Sequence, residues 1–200
     1  MSSVVGRERA LKLVHTDPGQ ALTTARAIPD AWYRAQALAW VARFAPQDIA
    51  RPALREARAA AKEGKDEYQQ AAALAWPIRA ALETRQKTQY EVMFAEATRQ
   101  LPDIENMGSR AEAADWVFHA AAPGGATLWQ PLLDALPTLC PPDDHWRCAR
   151  LFRGIAAVLA AVAPEAAARI IDAMPHGKAR DRCLRDRAKG ASAEPRRYFW

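Results

Sequence analysis

A short sequence pattern recurs along the chain at nearly constant spacing, and this recurrence restricts the fold more than any other feature. The heptapeptide RAQALAW of residues 34–40 is followed by QAAALAW at 70–76 and by RAEAADW at 110–116. A fourth copy, RCARLFR at 147–153, keeps the arginine, a small residue and the leucine, and a weaker fifth copy begins RCL at 182. Successive copies start 36, 40, 37 and 35 residues apart, which is the period of a two-helix repeat.

The composition predicts that the repeated segments are helical. Alanine, the strongest helix former, occupies 46 of the 200 positions, whereas Val, Ile and Thr together occupy 23. Prolines fall at intervals of helical length, where a missing backbone N–H at a helix start costs little. We therefore predict an all-α protein in which each repeat consists of a helix A, a short turn and a helix B.

Apolar periodicity and the prolines set the expected helix bounds. A helix at about residues 4–15 precedes the first repeat. The A helices are predicted at 18–28, 49–62, 87–101, 127–139 and 164–174. The B helices are predicted at 30–45, 66–83, 105–122, 143–162 and 178–189. Within the second B helix, Pro77 should lie in a first turn or make a kink.

The motif of an apolar-Pro-Asp turn followed by Arg-Ala-x-Ala-Leu-Ala resembles the α-helical repeat proteins of the HEAT and armadillo type, over residues 17–190. The resemblance implies a short right-handed α-α superhelix of about five two-helix repeats, whose concave face binds a partner. It gives one repeat domain over residues 1–190 and a basic, aromatic C-terminal segment over 191–200. Asp186 stands where the first copy has Leu38, which is typical of a terminal cap.

Two side-chain types recur in the pattern and supply candidate binding residues. The aromatic position is held by Trp40, Trp76 and Trp116. The basic position is held by Arg34, Arg110 and Arg147. The tryptophans would either line a groove that stacks on bases or holds a peptide, or pack between adjacent helix pairs. The arginines would either bind acidic peptides or phosphates, or pair with an aspartate of an A–B turn: Asp30, Asp103, Asp143 or Asp144.

The C-terminal residues EPRRYFW add Arg196, Arg197 and Trp200 to the candidate binding residues. Pro195 excludes a helix here, and three consecutive aromatic side chains are unfavourable in water. We expect this segment to be extended and ordered, with Trp200 at least partly buried. It would either fold back onto its own chain or dock into another, so a monomer and a homodimer both remain open.

The net charge of +5 belongs to the last 25 residues, which hold 8 basic and 3 acidic side chains, while residues 1–175 hold 20 of each. This distribution describes a basic tail on a neutral body. A basic tail suits the phosphate backbone of a nucleic acid. Binding of DNA or RNA by the C-terminal region is therefore the alternative function.

The sequence shows no glycine-rich phosphate loop, no nucleophile elbow and no His-Glu-x-x-His pair. Alkylpurine DNA glycosylases are HEAT-like enzymes, but their pairing of an aromatic residue with an Asp one turn later is not matched at any tryptophan of this chain. Cys140, His145 and Cys148 have metal-ligand chemistry, but Cys148 and Cys183 fall on the small core position, which favours buried thiols over zinc. We expect no enzymatic activity, no metal and no cofactor.

The chain has no apolar stretch long enough to span a bilayer, no N-terminal signal and an odd number of cysteines. These features predict a cytoplasmic protein without membrane insertion. The function we expect is a non-enzymatic protein–protein or peptide interaction module that uses the concave face of a helical-repeat scaffold.

Overall fold

The computed structural model of the chain describes residues 2–142 and 145–199, and within these ranges every regular element is a helix. The predicted all-α class is confirmed. The first seven helices are α1 Ser3–Leu13, α2 Pro18–Arg26, α3 Ala31–Phe44, α4 Gln47–Lys62, α5 Glu67–Ala73, α6 Ala75–Glu83 and α7 Lys87–Gln100. The remaining helices are α8 Met107–Ala121, α9 Ala126–Leu139, α10 Trp146–Val162, α11 Pro164–Asp172 and α12 Lys178–Ala188, with short 3-10 turns at Leu101–Asp103 and Ala122–Gly124.

Contacts group the described residues into two compact units. The first unit comprises the chain up to Gln100 together with Tyr198 and Phe199, and the second comprises Leu101–Arg197. The predicted division into one repeat domain over residues 1–190 and a segment over 191–200 stays a prediction.

Helix starts follow side chains that can accept the free N–H groups of a first turn. Asp17, Asp30 and Asp66 each accept the backbone N–H three residues later, at 2.7–3.3 Å. Asn106 caps α8 in the same way, and for this reason α8 begins at Met107 instead of at the predicted residue 105. The observed bounds lie within three residues of the predicted ones, except where Pro77 divides a helix.

Pro77 splits the second predicted B helix into α5 and α6, which meet at Leu74. Proline has no N–H for the carbonyl oxygen four residues earlier, and its ring crowds that group. Pro77 is the third residue of α6, and the helical hydrogen bonding resumes where the Ile78 N–H donates to the Leu74 carbonyl oxygen at 2.9 Å. Pro77 therefore lies in the first turn of α6, which is one of the two placements expected from the sequence.

Helix α3 forms the centre of the first unit and contacts α1, α2, α4 and α6. Its residues 35–42 are all buried, and four of these eight residues are alanines. Small side chains let helix axes approach to about 8–10 Å, so one helix can be covered on all sides. Leu38 is 2 % exposed at this centre, and Leu74 is fully buried at the α5–α6 junction.

Helix α10 has the corresponding place in the second unit, where it contacts α8, α11 and α12. Most of its buried residues are larger than alanine: they are Cys148, Leu151, Phe152, Ile155, Ala156, Val158 and Leu159. Alanines occupy much of the remaining surface of α10. The main core of the second unit therefore lies along the buried face of α10.

Gly190 ends α12 and reverses the chain. Its φ of 69° is in the left-handed region, and the Ala191 N–H donates back to the Asp186 carbonyl oxygen at 2.9 Å. Residues 191–199 then continue without a helix. The Ala193 N–H donates to the Ala157 carbonyl oxygen of α10 at 2.9 Å, which fixes the path of this C-terminal segment within the second unit.

Among the residues that the structure describes, no helix has both the length and the apolar character needed to cross a bilayer.

Replacing Leu38 by alanine should lower the free energy of unfolding by about 2 to 5 kcal/mol, because a buried leucine leaves a cavity when it is truncated. Leu184→Ala is the control, since Leu184 is 43 % exposed and its loss should cost far less. Urea unfolding followed by circular dichroism measures both. Equal effects of the two substitutions would contradict the central place of α3.

Candidate binding surface

The recurring basic side chain binds the backbone of the turn before its helix. Arg34 donates to the Ile28 carbonyl oxygen at 2.8 Å. The same bond, to the carbonyl oxygen six residues earlier, is donated by Gln70 at 3.1 Å, by Arg110 at 2.9 Å and by Arg180 at 3.4 Å. Gln70 can replace arginine because its amide also carries N–H donors. The shared contact satisfies a carbonyl oxygen at the turn between two helices.

The last copy of the pattern is shifted by two residues from the sequence alignment. Arg180, and not Arg182, donates to the carbonyl oxygen of its turn, and Arg182 is exposed. The shift places Leu184 at the position that Leu38 has in the first copy. Leu184 is exposed, whereas Leu38 and Leu74 at the same position of the first two copies are buried. The buried leucine position of the pattern is therefore not continued in α12.

The carboxylate partner of Arg34 is Glu63, with which it forms a salt bridge. The predicted pairing of Arg34 with the turn aspartate is wrong, because the Asp30 carboxylate accepts the Tyr33 N–H and caps α3 instead. Asp143 and Asp144, the predicted partners of the fourth arginine, lie outside the described residues. The contacts of Arg34 hold the turn together.

Arg110 and Arg147 also have protein partners. Arg110 donates to the Leu139 carbonyl oxygen at 3.1 Å, in addition to its bond at the turn. Arg147 forms a salt bridge with Glu112 at 3.3 Å, and its guanidinium lies 5.4 Å from the ring centre of Trp146. Arg110 thus connects α8 to the end of α9, and Arg147 connects the start of α10 to α8.

In the first unit, the recurring tryptophans contact the end of the chain. The Trp40 ring meets Phe199 edge to face, with ring centres 5.4 Å apart, and Trp76 meets Tyr198 in the same geometry at the same distance. Trp40 and Trp76 are buried, and Tyr198 is only 2 % exposed. Edge-to-face pairs are a favoured arrangement of aromatic rings and contribute about 0.5 to 1.5 kcal/mol each beyond their burial.

Charged groups border this aromatic cluster. The Arg79 guanidinium lies 5.9 Å from the Tyr198 ring centre and donates to the Glu83 carboxylate at 2.5 Å. Arg43 forms a second salt bridge with Glu83. Burial opposes the charged carboxylate, but the hydrogen bonds from Arg43 and Arg79 outweigh it and lower the pKa of Glu83. Glu83 therefore stays charged and holds Arg79 beside Tyr198.

In the second unit, the third recurring tryptophan receives Arg196. The guanidinium carbon of Arg196 lies 3.9 Å from the Trp116 ring centre, and the guanidinium donates to the Asp115 carboxylate at 2.8 Å. The Arg196 backbone N–H donates to Nδ1 of His119 at 3.1 Å, and Nε2 of the same ring lies 3.4 Å from the other Asp115 oxygen. One residue of the C-terminal segment is thus held by three neighbouring side chains of α8.

A cavity of about 180 Å³ adjoins this arrangement between α8 and α10, within the second unit. It is lined by Ala111, Glu112, Asp115, Trp146, Arg147, Arg150, Leu151 and Arg196. Trp146 is 62 % exposed, which is unusual for so large an apolar side chain. The cavity leaves space beside the bound arginine.

Two predicted residues of the C-terminal segment remain, Arg197 and Trp200. Arg197 is exposed and makes only a 3.6 Å contact with the equally exposed Glu194. Trp200 lies outside the described residues, so its expected burial stays a prediction. Sequence reasoning did not select Asp115, although a signal for it exists: the residue before the recurring tryptophan is alanine at 39 and at 75 and aspartate only at 115.

The thiols at the start of the fourth copy are buried. Burial, together with the neighbouring Cys148, raises the pKa of the Cys140 thiol to about 12, so it stays protonated at neutral pH. His145 uses Nδ1 to accept the Arg147 N–H and caps α10. In residues 2–142 and 145–199, no three side chains of metal-ligand type are grouped to hold an ion.

Comparison with known proteins finds no matching family model, no similar curated protein and no similar solved structure.

Replacing Arg34 by methionine should destabilise the fold by about 1.5 to 3 kcal/mol, since hydrogen bonds of a charged donor are lost. Arg34→Gln should cost less, because Gln70 makes the equivalent bond in the second copy. The exposed Arg182→Met is the control. Thermal unfolding of the three variants tests the contact, and equal stability of the Arg34→Met and Arg182→Met proteins would contradict it.

Proposed function

We propose that this chain is a non-enzymatic interaction module whose recurring tryptophan positions bind an extended segment of a partner protein. The scaffold that we propose is a short right-handed superhelix of HEAT-like repeats. Its support is the recurrence of the heptapeptide pattern and of the hydrogen bond from the basic position to its turn. Repeats of this kind offer extended surfaces to ligands.

The observation that carries the proposal is the contact of Tyr198 and Phe199 with Trp76 and Trp40 in the first unit. A chain segment without a helix lies against two of the recurring tryptophans and buries Tyr198 almost completely. The chain itself therefore supplies an example of what these positions accommodate. Ligands of the same chemistry, with adjacent aromatic side chains on an extended backbone, are the proposed partners.

Any partner must compete with the C-terminal segment, because this segment is covalently linked to the site that it occupies. A segment linked to its own binding site has an effective concentration that reaches the millimolar range for short linkers. A free partner segment must therefore bind more tightly than the chain's own terminus, or the terminus must first be released. The C-terminal segment would in this way restrict binding to strong partners.

Nucleic-acid binding is the second candidate, because α12 and its end expose several basic side chains: Lys178, Arg182, Arg185, Arg187 and Lys189. Two other basic residues of the region are already neutralised, since Arg180 pairs with Asp172 and Arg196 with Asp115. Binding to phosphates would weaken steeply with added salt, whereas docking of aromatic side chains would not. The salt dependence of any observed binding therefore separates the two functions.

We propose a monomer, with the segment bound in cis, and a homodimer in which two copies exchange their segments is the alternative. The cytoplasm is the compartment that we propose, since the three cysteines, all buried, are free thiols.

The full-length double variant Tyr198→Ala, Phe199→Ala tests the proposal, with Arg197→Ala as the matched control in the same segment. We expect a lower melting temperature and more solvent-accessible tryptophan fluorescence for the double variant only, and an unchanged sedimentation mass for both variants. A labelled synthetic peptide of residues 191–200, ASAEPRRYFW, should bind the double variant more tightly than the wild-type chain, in which the site is occupied.

Loss of a dimer in the double variant would support exchange between copies instead. Unchanged stability and fluorescence, together with no binding of the peptide by the double variant, would contradict the proposal.

A further inference from the structure

Three side chains on one face of α8 hold Arg196: Asp115 and Trp116 contact its guanidinium, and His119 contacts its backbone. Trp116 presents its ring face to the Arg196 guanidinium at 3.9 Å, while Asp115 accepts from the guanidinium at 2.8 Å. A guanidinium is planar, so it can stack on an aromatic face and donate hydrogen bonds from its edge at the same time. The compact ammonium group of lysine cannot combine both contacts in this geometry. The arrangement therefore selects arginine over lysine.

His119 adds a contact to the backbone of the same residue. Its Nδ1 accepts the Arg196 N–H at 3.1 Å, which requires the proton of the neutral ring to be on Nε2, facing Asp115. The Arg196 N–H is free to make this bond because residues 191–199 continue without a helix. The site as occupied therefore holds an arginine within an extended segment.

His119 is buried, whereas Asp115 and Trp116 are only partly buried, so the guanidinium-binding part of the site lies at the surface. The aspartate stands at a position that is alanine in the first two copies of the pattern, Ala39 and Ala75, both of which are buried. The side chains of Asp115 and Arg196 remain 20 % and 33 % exposed and line the 180 Å³ cavity. Arg196 can therefore leave, and another arginine can enter, without opening the packed interior.

We propose that Asp115, Trp116 and His119 form an arginine receptor, occupied in cis by Arg196, whose ligand in trans is an extended peptide segment carrying an arginine. This inference rests on the proposed function and specifies its partner: the arginine precedes the aromatic residues, as Arg196 precedes Tyr198 and Phe199. The chain's own segment competes with the partner for the receptor.

The test uses the full chain with a recognition sequence for a site-specific protease inserted between Gly190 and Ala191, both of which are exposed. After folding, the chain is cleaved, and the original segment is exchanged for a fluorescein-labelled peptide ASAEPRRYFW. Anisotropy gives the affinity of this peptide and of variants with Arg196→Ala, Arg196→Lys, Arg197→Ala or the pair Tyr198→Ala, Phe199→Ala.

We expect Arg196→Ala and Arg196→Lys to weaken binding about tenfold or more, since a charge-assisted hydrogen bond and a cation–π contact are lost or impaired. Arg197→Ala should change the affinity by less than about threefold, because the exposed Arg197 makes only a surface contact. In the protein, Asp115→Asn should weaken binding of the unsubstituted peptide but not of the Arg196→Ala peptide. Asp181→Asn, which removes an exposed carboxylate on α12 of the same unit, is the control and should leave both affinities unchanged.

Equal affinities of the unsubstituted and Arg196→Ala peptides, with weaker binding of the Tyr198→Ala, Phe199→Ala peptide, would overturn the arginine receptor and leave the proposed function standing. Full affinity of the peptide that lacks both aromatics would overturn the proposed function instead. Failure of the folded, cleaved protein to bind any of the peptides would overturn both.

Discussion

Close approach of helices through alanine is the constraint on which the rest of the structure depends. Helix α3 is buried over residues 35–42 because small side chains let neighbouring helices pack against it from several directions. A tryptophan recurs at one position of the first three copies, as Trp40, Trp76 and Trp116. Residues of the C-terminal segment contact the rings of these tryptophans. In the first unit Phe199 packs against Trp40 and Tyr198 against Trp76, and in the second unit Arg196 lies over Trp116.

The recurring residues and the unique residues of the pattern have different roles. Arg34, Arg110 and Arg180, with Gln70 in one copy, bind the carbonyl oxygens six residues earlier. Arg147 of the fourth copy instead pairs with Glu112. Two of the residues that hold Arg196, Asp115 and His119, have no counterparts in the other copies, whereas the third, Trp116, recurs. The recurring basic position therefore maintains the scaffold. The candidate binding surface combines the recurring tryptophans with residues that do not recur.

Much of the fold could be predicted from the sequence because helix bounds depend on local signals. Caps such as Asp30 and breaks such as Pro77 act on the residues beside them, so the observed helices follow the predicted ones closely. The partners of side chains depend on residues far apart in the chain. The salt bridge of Arg34 with Glu63, the role of Arg180 in place of Arg182, and the contact of Arg196 with Asp115 could not be derived from spacing. The fold-back of the C-terminal aromatics was one of two open alternatives for the same reason.

The C-terminal segment contacts the recurring tryptophans of its own chain. Nuclear magnetic resonance of the full-length protein tests this contact directly, because protons that lie over an indole ring resonate upfield of their usual positions. We expect upfield-shifted side-chain methylene signals for Arg196, with nuclear Overhauser effects to Trp116, and ordinary shifts for the neighbouring Arg197. We also expect Overhauser effects from Phe199 to Trp40. Identical, unperturbed shifts for Arg196 and Arg197, without contacts to either indole, would contradict it.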